Sequence, residues 1–185
     1  MVSFEEVMAL TRGVSGAEAF NERECAAYFD LATAIPPGST IVEIGLQFGR
    51  SSSIVAQVAK DRGNTYIGVD PFSQPPESGP EWKALMERIG IKPILYEMKT
   101  EELPRGWCQS LIYLALIDGC HNEREIRIDC AAVLPLVPVG GHVCFHDYGR
   151  ESLPEVYPTV NAVMAELPEW HEVGIYGTLG VWKRA

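Results

Sequence analysis

The residues able to do chemistry in this chain sit in or directly after apolar runs. Thr40 to Ile44 is such a run, with an acid at Glu43. It breaks into Gly45-Leu46-Gln47-Phe48-Gly49 and then into the Ser-rich stretch Arg50-Ser51-Ser52-Ser53. That is the pattern of a strand feeding a tight loop, where glycines let backbone approach a ligand. Thr65 to Val69 is a second apolar run, closed by Asp70, 25 residues after Gly45. A carboxylate at that place can accept both hydroxyls of a ribose. Together the two segments predict a nucleoside-bearing cofactor lying across the carboxyl ends of two parallel strands.

A second group of polar residues follows two later runs. Asp118 comes after six apolar residues, and His121 stands three positions on. An unpaired carboxylate in a core is expensive, so Asp118 should face a site. An imidazole such as His121 can take a proton from a hydroxyl near neutral pH. His146-Asp147 closes the run His142 to Phe145. The bland alternatives are a carboxylate paired with backbone amides and a histidine that organises its loop.

The elements that must position these groups can be read in order. Tyr28, Leu31, Ala32 and Ile35 form one helical stripe that ends at Pro36-Pro37-Gly38. A strand over Thr40–Ile44 leads to a helix with Ser51 or Ser52 at its N-cap and Val55, Val58 and Ala59 inside. After the strand ending at Asp70, the Pro-, Ser- and Gly-rich stretch 71–80 reads as a loop, and 81–89 as a short helix. Residues 93–98 are a third strand, and the near-continuous apolar run 110–117 a central buried one. Asn122 and Glu125 are spaced as a capping box for a helix that Pro135 should end. Gly140-Gly141 turns into a fifth strand, and Val160, Val163, Met164 and Leu167 mark a last helix. Residues 171–176 and 178–182 read as a closing antiparallel hairpin around Gly177. Strands alternating with helices imply a parallel sheet covered on both faces, with ligands bound beyond the strands' carboxyl ends. Every informative polar cluster falls at such an end.

Composition narrows the partners. With 185 residues, one domain is the default: a helical segment over 1–38 and an α/β core over 39–185. The formal net charge of −10 disfavours nucleic-acid backbone and anionic membrane surfaces. No apolar stretch approaches the ~20 residues of a membrane span, and the N-terminus lacks the features of a signal peptide. Five cysteines without CxxC spacing read as reduced, mostly buried thiols, which points to the cytoplasm.

The segments VEIGLQFGRSSS, YIGVDPF, LIDGCHNEREIRIDC and VGGHVCFHDYG, in this order, resemble class I S-adenosylmethionine-dependent methyltransferases. Within that class the chain is most similar to the compact small-molecule O-methyltransferase branch with an acid-Gly-x-His motif after strand four. The resemblance spans residues 40–150. It implies a Rossmann-like, seven-stranded, mostly parallel sheet with a terminal antiparallel hairpin and helices on both faces. A dinucleotide fold would want GxGxxG around a pyrophosphate, and Gly45 and Gly49 do not make one.

The resemblance also implies roles. Glu43 would help hold the amino-acid end of S-adenosylmethionine, directly or through water. Gly45, Gln47 and Gly49 would supply backbone contacts, while Arg50, Ser51 and Ser52 would cap the helix and touch the cofactor's carboxylate. Asp70, followed by Pro71, would hold the ribose, and Phe72 could pack near the adenine. Asp118 would belong to the same site. Many relatives place an acid or small polar group near adenine after strand three; Lys99-Thr100-Glu101 occupies that stretch here. Metal-dependent relatives bind Mg²⁺ through carboxylates after strands four and five. The corresponding ligands would be Asp118, His146 and Asp147, with a histidine where an acid is usual.

The implied activity is methyl transfer to a small-molecule acceptor, at a hydroxyl oxygen. His121, His146, Asp147 or a divalent cation would activate that oxygen. The acceptor pocket would come from the N-terminal segment, the 71–80 loop, the 149–158 loop, or a second copy in a homodimer. Two other classes stay open at this level: a catalytically silent cofactor binder, and a metal-dependent hydrolase or hydroxylase on the same fold.

Overall fold

A computed structural model describes residues 1–15 and 20–185. Its elements are α1 (Phe4–Thr11), α2 (Glu22–Ala34), β1 (Thr40–Ile44), α3 (Arg50–Arg62), β2 (Thr65–Val69), α4 (Ser78–Ile89) and β3 (Ile94–Tyr96). They continue with β4 (Ile112–Ile117), α5 (Glu123–Val133), β5 (His142–Phe145), α6 (Val156–Ala165), β6 (Trp170–Tyr176) and β7 (Leu179–Arg184). One seven-stranded sheet runs β3-β2-β1-β4-β5-β7-β6. The first five strands are mutually parallel, and β7 pairs antiparallel with both β5 and β6. The seven-stranded, doubly covered α/β sheet expected from the sequence is therefore present.

The order explains where the site lies. Chain direction across the sheet reverses between β1 and β4, which are neighbours although β2 and β3 intervene in sequence. Crossovers on either side of that point run to opposite faces, and a crevice opens beyond the strands' carboxyl ends. Two apolar clusters cover the sheet. One joins Val7, Tyr28, Ile54 and Trp82 of α1–α4 to Ile41, Leu114 and Leu116. The other joins Ile126, Cys130 and Val160 of α5 and α6 to Val42, Ile44, Ala115 and Ile117. Strand residues alternate between faces, so Glu43 follows Ile41 toward the α1–α4 side.

Local reading erred at two helix starts. The N-cap of α3 is Gly49, at φ 90°, with no side-chain cap, and neither Ser51 nor Ser52 fills that role. Helix α4 begins at Ser78, three residues before the expected Glu81. Its Gly79 and Pro80 stand in the first turn, where a missing N–H costs nothing. The β3 strand is also shorter than the expected 93–98. At α5 the Asn122 side chain accepts the Glu125 N–H as a capping box requires, and Asn122 also contacts the Glu125 carboxylate through its own amide. Among the described residues, no helix is long and apolar enough to cross a membrane. All five cysteines are free thiols, and only Cys120 is exposed.

Candidate active site

A cavity of about 700 Å³ lies beyond the carboxyl ends of β1, β2, β4 and β5. That falls in the usual range for small-ligand sites. Its wall includes Gly45, Gln47, Gly49, Arg50, Ser51, Asp70, Pro71, Asp118, His121, His146 and Asp147. Eleven of the thirteen site residues expected from the sequence therefore meet in one place. Ser15 and Phe20 of the N-terminal segment, Ser73 and Gln74 of the 71–80 loop, and Ser152 and Leu153 of the 149–158 loop complete it. These are three of the sources anticipated for an acceptor pocket.

The first wall is the loop between β1 and α3. Gly45 has φ 86°, and a Cβ there would collide with the Asp118 carbonyl, so the loop closes against β4 only with glycine. A Cβ at Gly49 would stand 2.8 Å from both Leu85 and Trp82. Asp70 ties the loop down. Its Oδ2 accepts the Leu46 N–H at 2.7 Å and the Gln47 N–H at 3.1 Å, and its Oδ1 accepts the Phe72 N–H at 2.6 Å. The carboxylate remains part-exposed on the cavity wall, with lone pairs to spare.

Glu43 and Ser52 are the two expected contacts that do not reach the cavity. Glu43 is fully buried, and its Oε2 accepts the Ser52 Oγ at 2.6 Å and the Tyr66 hydroxyl at 2.5 Å. Ser52 Oγ in turn accepts the Trp82 Nε1–H at 3.0 Å. Burial pushes the Glu43 carboxyl up to about 7, against its hydroxyl donors. Glu43 is a β1 carboxylate that ties α3 to the sheet through Ser52. Arg50 is also held internally, donating to Phe20 O at 2.6 Å and Thr11 O at 3.2 Å. It fastens the N-terminal segment to the loop. Phe72 is 7% exposed and packs on Trp82, away from the cavity wall.

The second wall is a cluster of charge at the ends of β4 and β5. His121 Nε2 lies 3.0 Å from Asp147 Oδ2 and 3.7 Å from Asp118 Oδ1. The nearby Asp118 and Asp147 carboxylates raise the His121 imidazole to about 9 against the pull of burial. Asp147 also accepts the Arg150 Nη1 at 2.9 Å. Burial would raise the Asp147 carboxyl, but His121 and Arg150 overcome it and hold it at about 2. Asp147 sits at φ 55°, an uncommon conformation for a non-glycine residue that functional sites tend to retain.

His146 is placed differently from expectation. Its side chain is 3% exposed, and both ring nitrogens face acids. Nδ1 is 3.1 Å from Asp118 Oδ1, and Nε2 is 3.5 Å from Glu24 Oε2. Burial opposes its charge, yet Asp118, Glu24 and Asp147 raise it to about 10. His146 borders the cavity, but its side chain is almost fully buried and both nitrogens are turned toward carboxylates. Glu24 of α2, which sequence reasoning missed, also accepts the Thr178 N–H at 2.7 Å and the Asn21 N–H at 2.7 Å.

The metal expectation changes in the same way. Asp118, His121 and Asp147 offer one donor atom each within 4.8 Å of one another, so His121 replaces His146 in the set. One imidazole with two carboxylates is not the all-oxygen environment Mg²⁺ favours. Each carboxylate already faces cationic partners: Asp118 faces His146, and Asp147 faces His121 and Arg150. Three acids (Glu24, Asp118, Asp147) stand against three bases (His121, His146, Arg150). The donor set does not fit Mg²⁺.

The crevice thus carries the Asp70 carboxylate and the His121–Asp147 pair on one continuous Rossmann-like cavity wall. A family model described as a methyltransferase domain matches residues 42–148, more than half of the chain. The chain belongs to this family of S-adenosylmethionine-dependent methyltransferases. The fold is similar to that of CalS11, a TDP-rhamnose 3'-O-methyltransferase of calicheamicin biosynthesis, with TM-score 0.70 and 16% identity over 97% of this chain and 92% of that one. It is similar to the O-methyltransferase NovP, with TM-score 0.68 and 16% identity over 88% of this chain and 80% of that one. It is also similar to S-adenosylhomocysteine-bound PaMTH1, a methyltransferase of Podospora anserina, with TM-score 0.70 and 13% identity over 98% and 87%. No curated protein sequence matches the chain.

Proposed function

We propose that the protein methylates a hydroxyl oxygen of a small-molecule acceptor, with His121 as the base. The observation that carries this reading is the pairing of His121 with Asp147 on the wall of the cavity that Asp70 also lines. S-adenosylmethionine supplies an activated methyl on a sulfonium sulfur. The protein's work is then alignment and removal of one proton.

Asp70 would hold the ribose hydroxyls, and the Gly45–Gly49 loop the amino-acid end. His121 Nε2 is buried against the carboxylates, while the side chain is 34% exposed. With Nε2 turned to the Asp147 carboxylate 3.0 Å away, Nδ1 is the atom that receives the acceptor's proton. As the new C–O bond forms, the methyl–sulfur bond breaks and its electron pair stays on sulfur. Arg150 fixes Asp147, and Asp118 with His146 fixes the floor beneath His121. No step needs a metal ion. Sugar and phenol hydroxyls are the acceptor classes to try first; the similarity of fold to O-methyltransferases of a nucleotide sugar and of NovP's class supports starting there.

The test is transfer of labelled methyl from S-adenosylmethionine to a panel of hydroxylated sugars and phenols. Turnover lost in His121→Ala, with S-adenosylhomocysteine still bound, supports the reading. Cofactor affinity with no turnover on any acceptor supports a silent binder and contradicts it.

A further inference from the structure

Arg150 has more to offer the site than the mechanism above draws on. Its Nη1 donates to Asp147 Oδ1 at 2.9 Å, and among the described residues that is the guanidinium's one hydrogen bond. A guanidinium carries five N–H donors in a fixed fork that matches a carboxylate or a phosphate. The Arg150 side chain is 49% exposed and lines the cavity beside Ser152 and Leu153 of the same loop. The other Lys and Arg side chains of the cavity are placed differently. Arg50 is 8% exposed and turns Nε and Nη1 to the Phe20 and Thr11 carbonyls. Lys99 follows β3, the edge strand, which β2, β1 and β4 separate from β5.

The surroundings limit what the rest of the fork can hold. Asp147 stands between guanidinium and imidazole: Oδ1 accepts from Arg150, and Oδ2 lies 3.0 Å from His121 Nε2. One carboxylate thus separates the base from the cation. A group bound by Arg150 therefore lies within a small molecule's length of the hydroxyl that His121 serves. With its ribose on Asp70 and its amino-acid end on the Gly45–Gly49 loop, the methyl donor takes the β1 and β2 side of the cavity. The β5 side is left to the acceptor. The acids at that end (Glu24, Asp118, Asp147) are matched by bases (His121, His146, Arg150), so an arriving anion meets no local surplus of negative charge. Resting on the hydroxyl-methylation reading, we propose that the acceptor carries an oxyanion, a carboxylate or phosphate, a few bonds from its hydroxyl, and that Arg150 is the residue that selects it.

The experiment compares kcat/KM within matched pairs: hydroxybenzoates against hydroxybenzamides, and sugar phosphates against the free sugars. The wild-type chain should favour the charged member of one series by about tenfold to a hundredfold, chiefly through KM, as charge-assisted hydrogen bonds do. The series in which the preference appears tells carboxylate from phosphate. Arg150→Gln should bring that ratio near one, and Arg150→Lys, which keeps the charge without the fork, should retain part of it. Loosening of Asp147 alone would slow both members of a pair equally, so an unchanged ratio in Arg150→Gln overturns the proposal. A wild-type ratio near one in both series also overturns it. So does a tenfold loss of S-adenosylhomocysteine affinity in Arg150→Gln, which would give the guanidinium to the cofactor's carboxylate. Should the glutamine variant fail to fold by circular dichroism, the wild-type ratio and the lysine variant decide. Turnover of the neutral members alone overturns this proposal and leaves hydroxyl methylation standing; turnover of neither form contradicts both.

Discussion

His121 Nε2 and Asp147 Oδ2 lie 3.0 Å apart on the crevice wall, joining the loop after β4 to the loop after β5. The contact makes the imidazole a stronger base and also keeps it protonated at rest. Only the neutral ring can accept a proton, so methyl transfer should rise with pH through about 9. Asp147→Asn should move that inflection to lower pH by roughly one unit or more. Imidazole NMR titration alongside pH–rate profiles would show it. An inflection that stays in place in the variant contradicts the pairing. The stability sign follows from the raised value: the His121 contribution is complete below about 6.5 and is lost as pH rises through about 9.

Chelation gives a second test. Because Asp118 and Asp147 are matched by cations of the chain itself, EDTA should leave turnover within about twofold. Loss of activity that Mn²⁺ or Zn²⁺ restores would show that Asp118, His121 and Asp147 act as ligands.

Glu24 connects the N-terminal helix to the closing hairpin and to His146. Glu24→Ala removes the acceptor of the Asn21 and Thr178 N–H groups and the carboxylate facing His146, in a buried setting. Unfolding in urea should report a loss of about 2–4 kcal/mol. A loss under 1 kcal/mol would mean that the clamp is dispensable.

Glu43 has the opposite sign to the usual acid. Burial raises its carboxyl from 4.5 to about 7, so the unfolded chain loses this proton first as pH rises. Its contribution to stability falls between about 4.5 and 7 and then levels off. Glu43→Gln should flatten that slope by about 3 kcal/mol across the window and leave cofactor affinity within about twofold. A large loss of affinity would return Glu43 to the cofactor site.

These residues show how far the sequence could be read. Thr40–Ile44 and His142–Phe145 match their expected bounds because central parallel strands are short apolar runs between turn residues. Asp70, Asp118, His121 and Asp147 were legible because a parallel sheet gathers its strand ends in one crevice. The direction of Glu43 was not, since a strand covered on both faces has no polar side to mark alternation. Ser51 and Ser52 look like caps, but the left-handed Gly49 starts the helix and frees Ser52 for Glu43. Glu24 meets Thr178, 154 residues away, through packing that no local pattern announces.

The most direct measurement is a crystal structure with S-adenosylhomocysteine bound. The account predicts both ribose hydroxyls on the Asp70 carboxylate and the sulfur turned toward His121, with Asp70→Ala weakening binding at least tenfold. A ligand seated elsewhere, or an Asp70→Ala variant that binds as well as the wild type, would contradict it.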